Sequence, residues 1–224
     1  MGSRQPDMKG IQNLLFDLDG TLVDSSGTIS TCIQYALDRV GANSDCSTPV
    51  NSMIGAPLLD IFRKEYGLTD VQTDAAIDHY REHYDALGQA GTTVYADIHD
   101  ALSGLQRVGL RLFVATVKPA PIAEKVLSDL QLRSYFDGIS GSSMDHRRRT
   151  KAGIIAHILQ TWKLDPLQSI MIGDRGSDIT GARENSVRAI GVTYGFGSRD
   201  ELRAARPDHI IGQAAEIAAI LAPG

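Results

Sequence analysis

The sequence predicts an α/β protein: a doubly wound, mostly parallel sheet of Rossmann type, with an all-helical cap domain inserted after its first strand. Three observations predict it. Short apolar runs recur at residues 13–17 (NLLFD), 110–115 (LRLFVA), 169–172 (SIMI), 188–192 (RAIGV) and 209–211 (HII), as in strands covered on both faces. Between several of them, apolar residues step by three and four, the spacing of amphipathic helices. One long stretch, residues 26–92, contains helical steps and no strand. Strand and helix in alternation give a parallel sheet with crossover helices, and the strand-free stretch gives the insertion.

Taken in order, residues 13–17 form the first strand. In the insertion, Ile29, Cys32, Ile33, Ala36, Leu37 and Val40 mark one helix, and Ile77, Tyr80, Tyr84 and Leu87 mark another. Pro49 and Pro57 suit first helical turns, and Gly41, Gly55, Gly67, Gly88 and Gly91 punctuate. The expected division is an α/β core over residues 10–24 and 93–224, with the cap over 25–92. Beyond the cap, Ile98, Leu102 and Leu105, then Ala123, Val126, Leu127 and Leu130, then Ile154, Ile155, Ile158, Leu159 and Trp162 place helices between the remaining strands.

Composition bounds the function. The 224 residues are 42% hydrophobic and 22% charged, ordinary for a folded domain. A net charge of −5 supplies no global positive field for a nucleic-acid polymer or an anionic membrane, so any anionic substrate is met locally. Cys32 and Cys46 are too few for a disulfide framework, and no apolar run approaches the roughly 18 residues of a spanning helix. A cytoplasmic protein, monomer or dimer, is expected. Either Met1 or Met8 can open the native chain, so residues 1–9 are set aside.

The chemistry sits at strand ends. The first strand runs into Asp17-Leu18-Asp19-Gly20-Thr21. In extended backbone, residues two apart share a side, so Asp17 and Asp19 can converge, and Gly20 lets the chain turn. Such carboxylates invite Mg²⁺, which takes one or two of them plus substrate phosphate. Thr116 follows the second strand, Thr150 and Lys151 open a helix, and Asp174 and Asp178 follow the strand at 169–172. Ligands of open α/β sheets bind at these carboxyl ends.

The segments LLFDLDGTLVDS, LFVATVKP, TKAGIIAHIL and IMIGDRGSDITGA resemble the haloacid dehalogenase superfamily, in its helical-cap branch with phosphoglycolate phosphatases and related small-molecule phosphatases. The resemblance covers residues 11–211. It implies a Mg²⁺-dependent hydrolase of small phosphomonoesters, phosphoglycolate- or nucleotide-like, working through an aspartyl-phosphate. Asp17 would be the nucleophile, and Asp19 the general acid and then base, its backbone carbonyl also binding the metal. Asp174 would complete the metal ligands with Asp178 in support. Thr116 and Lys151 would bind phosphoryl oxygens, assisted by amides near Leu18 and Gly20, with Lys118 a competing phosphate lysine. A phosphomutase and a non-catalytic binding module of the same fold are the alternatives.

The chain also departs from that pattern. Val117 stands where relatives often carry Asn or Ser, removing a polar contact, and Tyr95-Ala96-Asp97 replaces a Tyr-Pro-Gly common in phosphoglycolate phosphatases. His79 and His83 spell HxxEH but lack an evident third ligand, so a histidine pair is expected rather than zinc. Residues 146–149 (HRRR) read as a solvated loop near the site, able to meet a second anionic group. The turn at residues 55–58 is expected to face substrate, with the segments at 24–27 and 91–93 as hinges.

Overall fold

The computed structural model describes residues 8, 10–44, 48–87, 90–143 and 150–221. Cys46, Gly88 and the run 146–149 lie outside them. In chain order the elements are β1 (Asn13–Phe16), β2 (Val23–Asp24), α1 (Ser26–Arg39), α2 (Val50–Met53), α3 (Leu58–Asp60), a π-helical turn (Ile61–Glu65), α4 (Asp70–Leu87), β3 (Thr93–Val94) and α5 (Ile98–Arg107). There follow β4 (Arg111–Pro119), α6 (Ala120–Asp129), β5 (Gly138–Ser142), α7 (Lys151–Trp162), β6 (Ser169–Gly173), α8 (Gly176–Glu184), β7 (Arg188–Val192), α9 (Arg199–Ala205), β8 (His209–Ile211) and α10 (Ala215–Leu221).

The chain divides into two compact units, one of residues up to Val23 and from Val94 onward, the other Asp24–Thr93. In the larger unit six strands form a parallel sheet in the order β5-β4-β1-β6-β7-β8. β1 lies between β4 and β6, with Asn13 opposite both Arg111 and Ser169. Leu15, Phe113, Ala115, Met171 and Ala189 meet Ile154, Ile155 and Ile158 of α7, Ile179 of α8 and Leu202 of α9 on one face. Leu14, Phe16, Leu112, Val114, Ile170 and Ile172 point the other way and are equally buried. Both faces are covered, which is why the strands read as unbroken apolar runs.

Two sheet features differ from expectation. β5 is an edge strand that the sequence reading lacks, and β4 runs on to Pro119 instead of stopping before Thr116. Its register against β5 slips between Ala115 and Pro119. That irregularity covers residues 116–118, where two of the candidate side chains lie.

In the smaller unit, the stripe Ile29, Cys32, Ile33, Ala36 and Leu37 of α1 is buried, as are Ala76, Ile77, Tyr80 and Tyr84 of α4, and the two helices pack on one another. Pro49 and Pro57 each stand just before a short helix, in extended conformation. The Thr28 hydroxyl donates to the Ala90 carbonyl at 2.6 Å and lies 2.8 Å from the Thr92 hydroxyl, so the start and end of this unit are fastened together. The His79 ring lies 3.7 Å from Glu82, and His83 stacks on Tyr35 with centroids 4.1 Å apart. Among the described residues no helix is long and apolar enough to cross a membrane.

Candidate active site

The carboxyl ends of β4, β1 and β6 are neighbours in the sheet, so residues far apart in sequence arrive side by side. Asp17 follows β1 directly; its amide is held by the Ile172 carbonyl at 2.9 Å, which keeps it on the strand path. The Asp17 carboxylate is 3% exposed by residue and accepts the Leu18 amide on Oδ1 at 2.7 Å. Lys151 Nζ lies 2.8 Å from that same oxygen. Lys151 enters from the first turn of α7, whose N-cap Thr150 accepts the Gly153 amide. Its ammonium also lies 2.8 Å from Asp178 Oδ1 and donates to the Ala115 carbonyl at 2.9 Å. Two carboxylates and a carbonyl thus surround this buried cation.

Asp174 follows β6 and is wholly buried. Its Oδ1 accepts the Thr21 hydroxyl at 3.2 Å, and its Oδ2 accepts the amides of Phe196 and Gly197 at 2.8 and 3.2 Å. Asp178, also buried, accepts the Arg175 amide on Oδ2 at 3.0 Å, closing the first turn of α8. Gly20 adopts φ +85°, and a Cβ there would overlap the Asp174 carboxylate, so only glycine fits.

Oxygens of Asp17, Asp174 and Asp178 all lie within 4.8 Å of one another. Burial, opposed by Lys151 but reinforced by Asp178 and Asp174, pushes the Asp17 carboxyl up to about 7. Burial and then Asp178 push Asp174 up to about 6. Burial works against the Lys151 charge, yet Asp17 and Asp178 outweigh it and raise its pKa. Three clustered acids against one buried lysine leave excess negative charge, and hard carboxylate oxygens at this spacing suit a small divalent cation.

Asp19 is placed differently. Its carboxylate stands outside that cluster and takes Lys118 Nζ on both oxygens, at 3.0 and 2.8 Å, with both side chains nearly buried. Lys118 is therefore the partner of Asp19, and Lys151 the lysine at Asp17. Thr116 is buried, and its Oγ1 accepts the Lys118 amide at 3.1 Å, which leaves its O–H free to donate elsewhere. The Gly20 amide is committed to the Val23 carbonyl, and the Leu18 amide to Asp17. Val117 packs against the apolar core cluster.

The sequence reading missed the loop after β7. Besides the two amides on Asp174, its Tyr194 hydroxyl donates to the Thr21 carbonyl at 3.1 Å. Burial and the nearby Asp174 raise the Tyr194 pKa, which keeps that donor protonated. Backbone donors leave no mark in residue type, but two glycines at 195 and 197 just past a strand are a signal of close backbone approach.

Residues 14–192 match the family model of haloacid dehalogenase-like hydrolases. The chain belongs to that family. A 5'-nucleotidase of Pseudomonas aeruginosa is 38% identical to this hydrolase over 93% of the chain and 95% of its own length. The tyrosine-protein kinase PtkA of Mycobacterium tuberculosis is 33% identical over 84% of the chain and 64% of its own length. Among solved structures, a predicted phosphatase from Clostridium acetobutylicum superposes with a TM-score of 0.87 at 37% identity, covering 92% of this chain and 96% of that one. Phosphoglycolate phosphatases occur among its relatives too, at 25% identity for that of Pectobacterium atrosepticum. The hydrolase is thus a phosphatase-type enzyme of this family, on a six-stranded parallel core.

Proposed function

We propose that this hydrolase cleaves small soluble phosphomonoesters, nucleotide- or phosphoglycolate-like, with Mg²⁺ and through an aspartyl-phosphate on Asp17. The observation that carries the proposal is the asymmetry of the Asp17 carboxylate. Oδ1 holds the Leu18 amide and Lys151, while among the described residues Oδ2 takes no hydrogen bond. One oxygen is anchored and the other is free to attack.

Asp17, Asp174 and Asp178 would hold the cation, with the Asp19 carbonyl as a further ligand. Bound there, Mg²⁺ would offset the charge of the phosphoryl group and of the carboxylates around it. Asp17 Oδ2 forms a bond to phosphorus as the ester P–O bond breaks, and Asp19, once a solvent proton has taken the place of Lys118 on one of its oxygens, gives that proton to the leaving alkoxide. A water then loses a proton to Asp19, its oxygen bonds to phosphorus, and the Asp17–phosphorus bond breaks to release phosphate. Lys151 limits the repulsion between nucleophile and substrate, and the Thr116 hydroxyl donates to a phosphoryl oxygen. Lys118 holds Asp19 apart from the acid cluster, where it serves proton transfer.

A reducing, cytoplasmic location is part of the proposal, supported by a sequence with only two cysteines, of which Cys32 is buried. The test is a panel of nucleoside 5'-monophosphates, phosphoglycolate, sugar phosphates, phosphotyrosine and p-nitrophenyl phosphate, with and without Mg²⁺. Free phosphate released only with the cation supports the reading. Full activity after exhaustive chelation overturns the metal assignment, and an isomeric sugar phosphate in place of free phosphate overturns hydrolysis in favour of a mutase.

A further inference from the structure

We infer that the loop at residues 194–197 sets the affinity of the acid cluster for its cation, with Tyr194 as the positioning residue that anchors it. The inference rests on the metal-dependent reading above and concerns residues to which that reading gives no role.

A carboxylate on a single χ2 axis can turn either oxygen, or neither, toward a cation, and an ordered neighbour decides which. Here the Phe196 and Gly197 amides both fall on Asp174 Oδ2, at 2.8 and 3.2 Å. Oδ1 takes only the Thr21 hydroxyl at 3.2 Å, and so retains a lone pair. The rotation of Asp174 is therefore fixed by two loops, one after β7 and one after β1. Those two loops are in turn tied to each other. The Tyr194 hydroxyl donates to the Thr21 carbonyl at 3.1 Å, and its ring stands edge-on to Tyr95 with centroids 5.1 Å apart. A Cβ on Gly195 would overlap the Gly20 carbonyl and the Asp174 side chain, so the backbones meet directly at this point. Among the described residues the Tyr194 hydroxyl has the Thr21 carbonyl, not a reacting group, as its hydrogen-bond partner. It acts through Thr21 and the loop amides on Asp174, and through Asp174 on the cation.

The test is calorimetric titration of MgCl₂ into metal-free protein without substrate, comparing the wild type with Tyr194→Phe and Thr21→Val. Groups that hydrogen-bond a metal ligand are worth roughly 10–100-fold in metal affinity. Tyr194→Phe should therefore raise the Mg²⁺ Kd about 10-fold, with the lost turnover recovered by raising Mg²⁺, a rescue that a merely structural lesion does not show. Thr21→Val keeps the side-chain shape, removes the donor to Oδ1 and should weaken Mg²⁺ in the same direction. The double variant should lose less than the product of the single effects, because both act through one carboxylate. Near-UV circular dichroism establishes that each variant is folded, and if Tyr194→Phe is not, Thr21→Val decides. A Kd within twofold of wild type in a folded variant overturns the role of the loop while leaving the phosphatase reading intact. A wild type that takes up no Mg²⁺ and hydrolyses no ester overturns both.

Discussion

Replacing Lys151 by Met isolates the charge balance of the site. Each of its contacts with Asp17 and Asp178 spans 2.8 Å, an attraction of about 6 kcal/mol at an effective dielectric constant of 20. Desolvation of the buried ammonium opposes this, and removing one partner of a buried ion pair leaves a net loss of about 3–5 kcal/mol. The loss depends on pH. Asp17 has a folded pKa of about 7 against an ordinary 3.8, so the folded state holds that proton between about pH 4 and 7. Near pH 5 the pair with Asp17 is largely discharged and Lys151 has less to neutralise; at pH 8 the carboxylates are ionised and the missing charge is felt in full. Metal-free Lys151→Met should therefore be destabilised by about 4 kcal/mol at pH 8 and by clearly less at pH 5. Urea unfolding followed by Trp162, the only tryptophan and one packed on Phe113, reads the larger unit directly. A loss under about 1 kcal/mol at pH 8, or the same loss at both pH values, would refute the view of Lys151 as the counter-charge of the cluster.

The wild type without metal should itself lose stability as pH rises through about 4 to 7. Asp174 alone, raised from 3.8 to about 6, corresponds to about 3 kcal/mol; accordingly Mg²⁺ should raise Tm more at pH 8 than at pH 5 by scanning fluorimetry. Asp17→Asn should abolish turnover with the fold intact, and Asp19→Asn should slow breakdown of a phosphoenzyme visible by acid quench; near-normal turnover in Asp17→Asn would assign the nucleophile elsewhere. Thr28→Ala removes a buried hydroxyl serving Ala90 and Thr92 and should cost the smaller unit about 1–3 kcal/mol. Hydrogen exchange should quicken in α1 and at residues 90–92 and leave the parallel sheet unchanged.

The sheet was legible where burial on both faces left apolar runs, as at Asn13–Phe16 and Ser169–Gly173. It was illegible at β5, whose sequence GISGS has one large apolar residue. The missing apolar bulk is supplied from outside the strand, by the Trp162 ring of α7 lying against Gly138. The acids and Lys151 were readable as candidates because carboxylates, a hydroxyl and a lysine recur at successive strand ends and a helix start, in the order that resembles the family. The partner of Asp19 was not, since an irregular register over residues 116–118 decides where Lys118 points. Nor was the loop at 194–197, which acts mainly through main-chain amides and could have been found only from its paired glycines.

The order of the strands ties catalysis to the last events of folding. Asn13 and Ser169 are 156 residues apart, Thr21 and Asp174 are 153 apart, and Lys118 reaches back 99 residues to Asp19. None of these contacts can be made by a local segment, and closing such loops is entropically expensive and slow. During synthesis Asp17, the proposed nucleophile, emerges first, yet its lysine, its neighbouring acids and the loop amides that orient Asp174 emerge in turn up to Gly197. A nascent chain thus carries an exposed Asp17 with no machinery to use it, and hydrolytic competence should switch on in one step once β7 and the loop beyond it have joined the sheet.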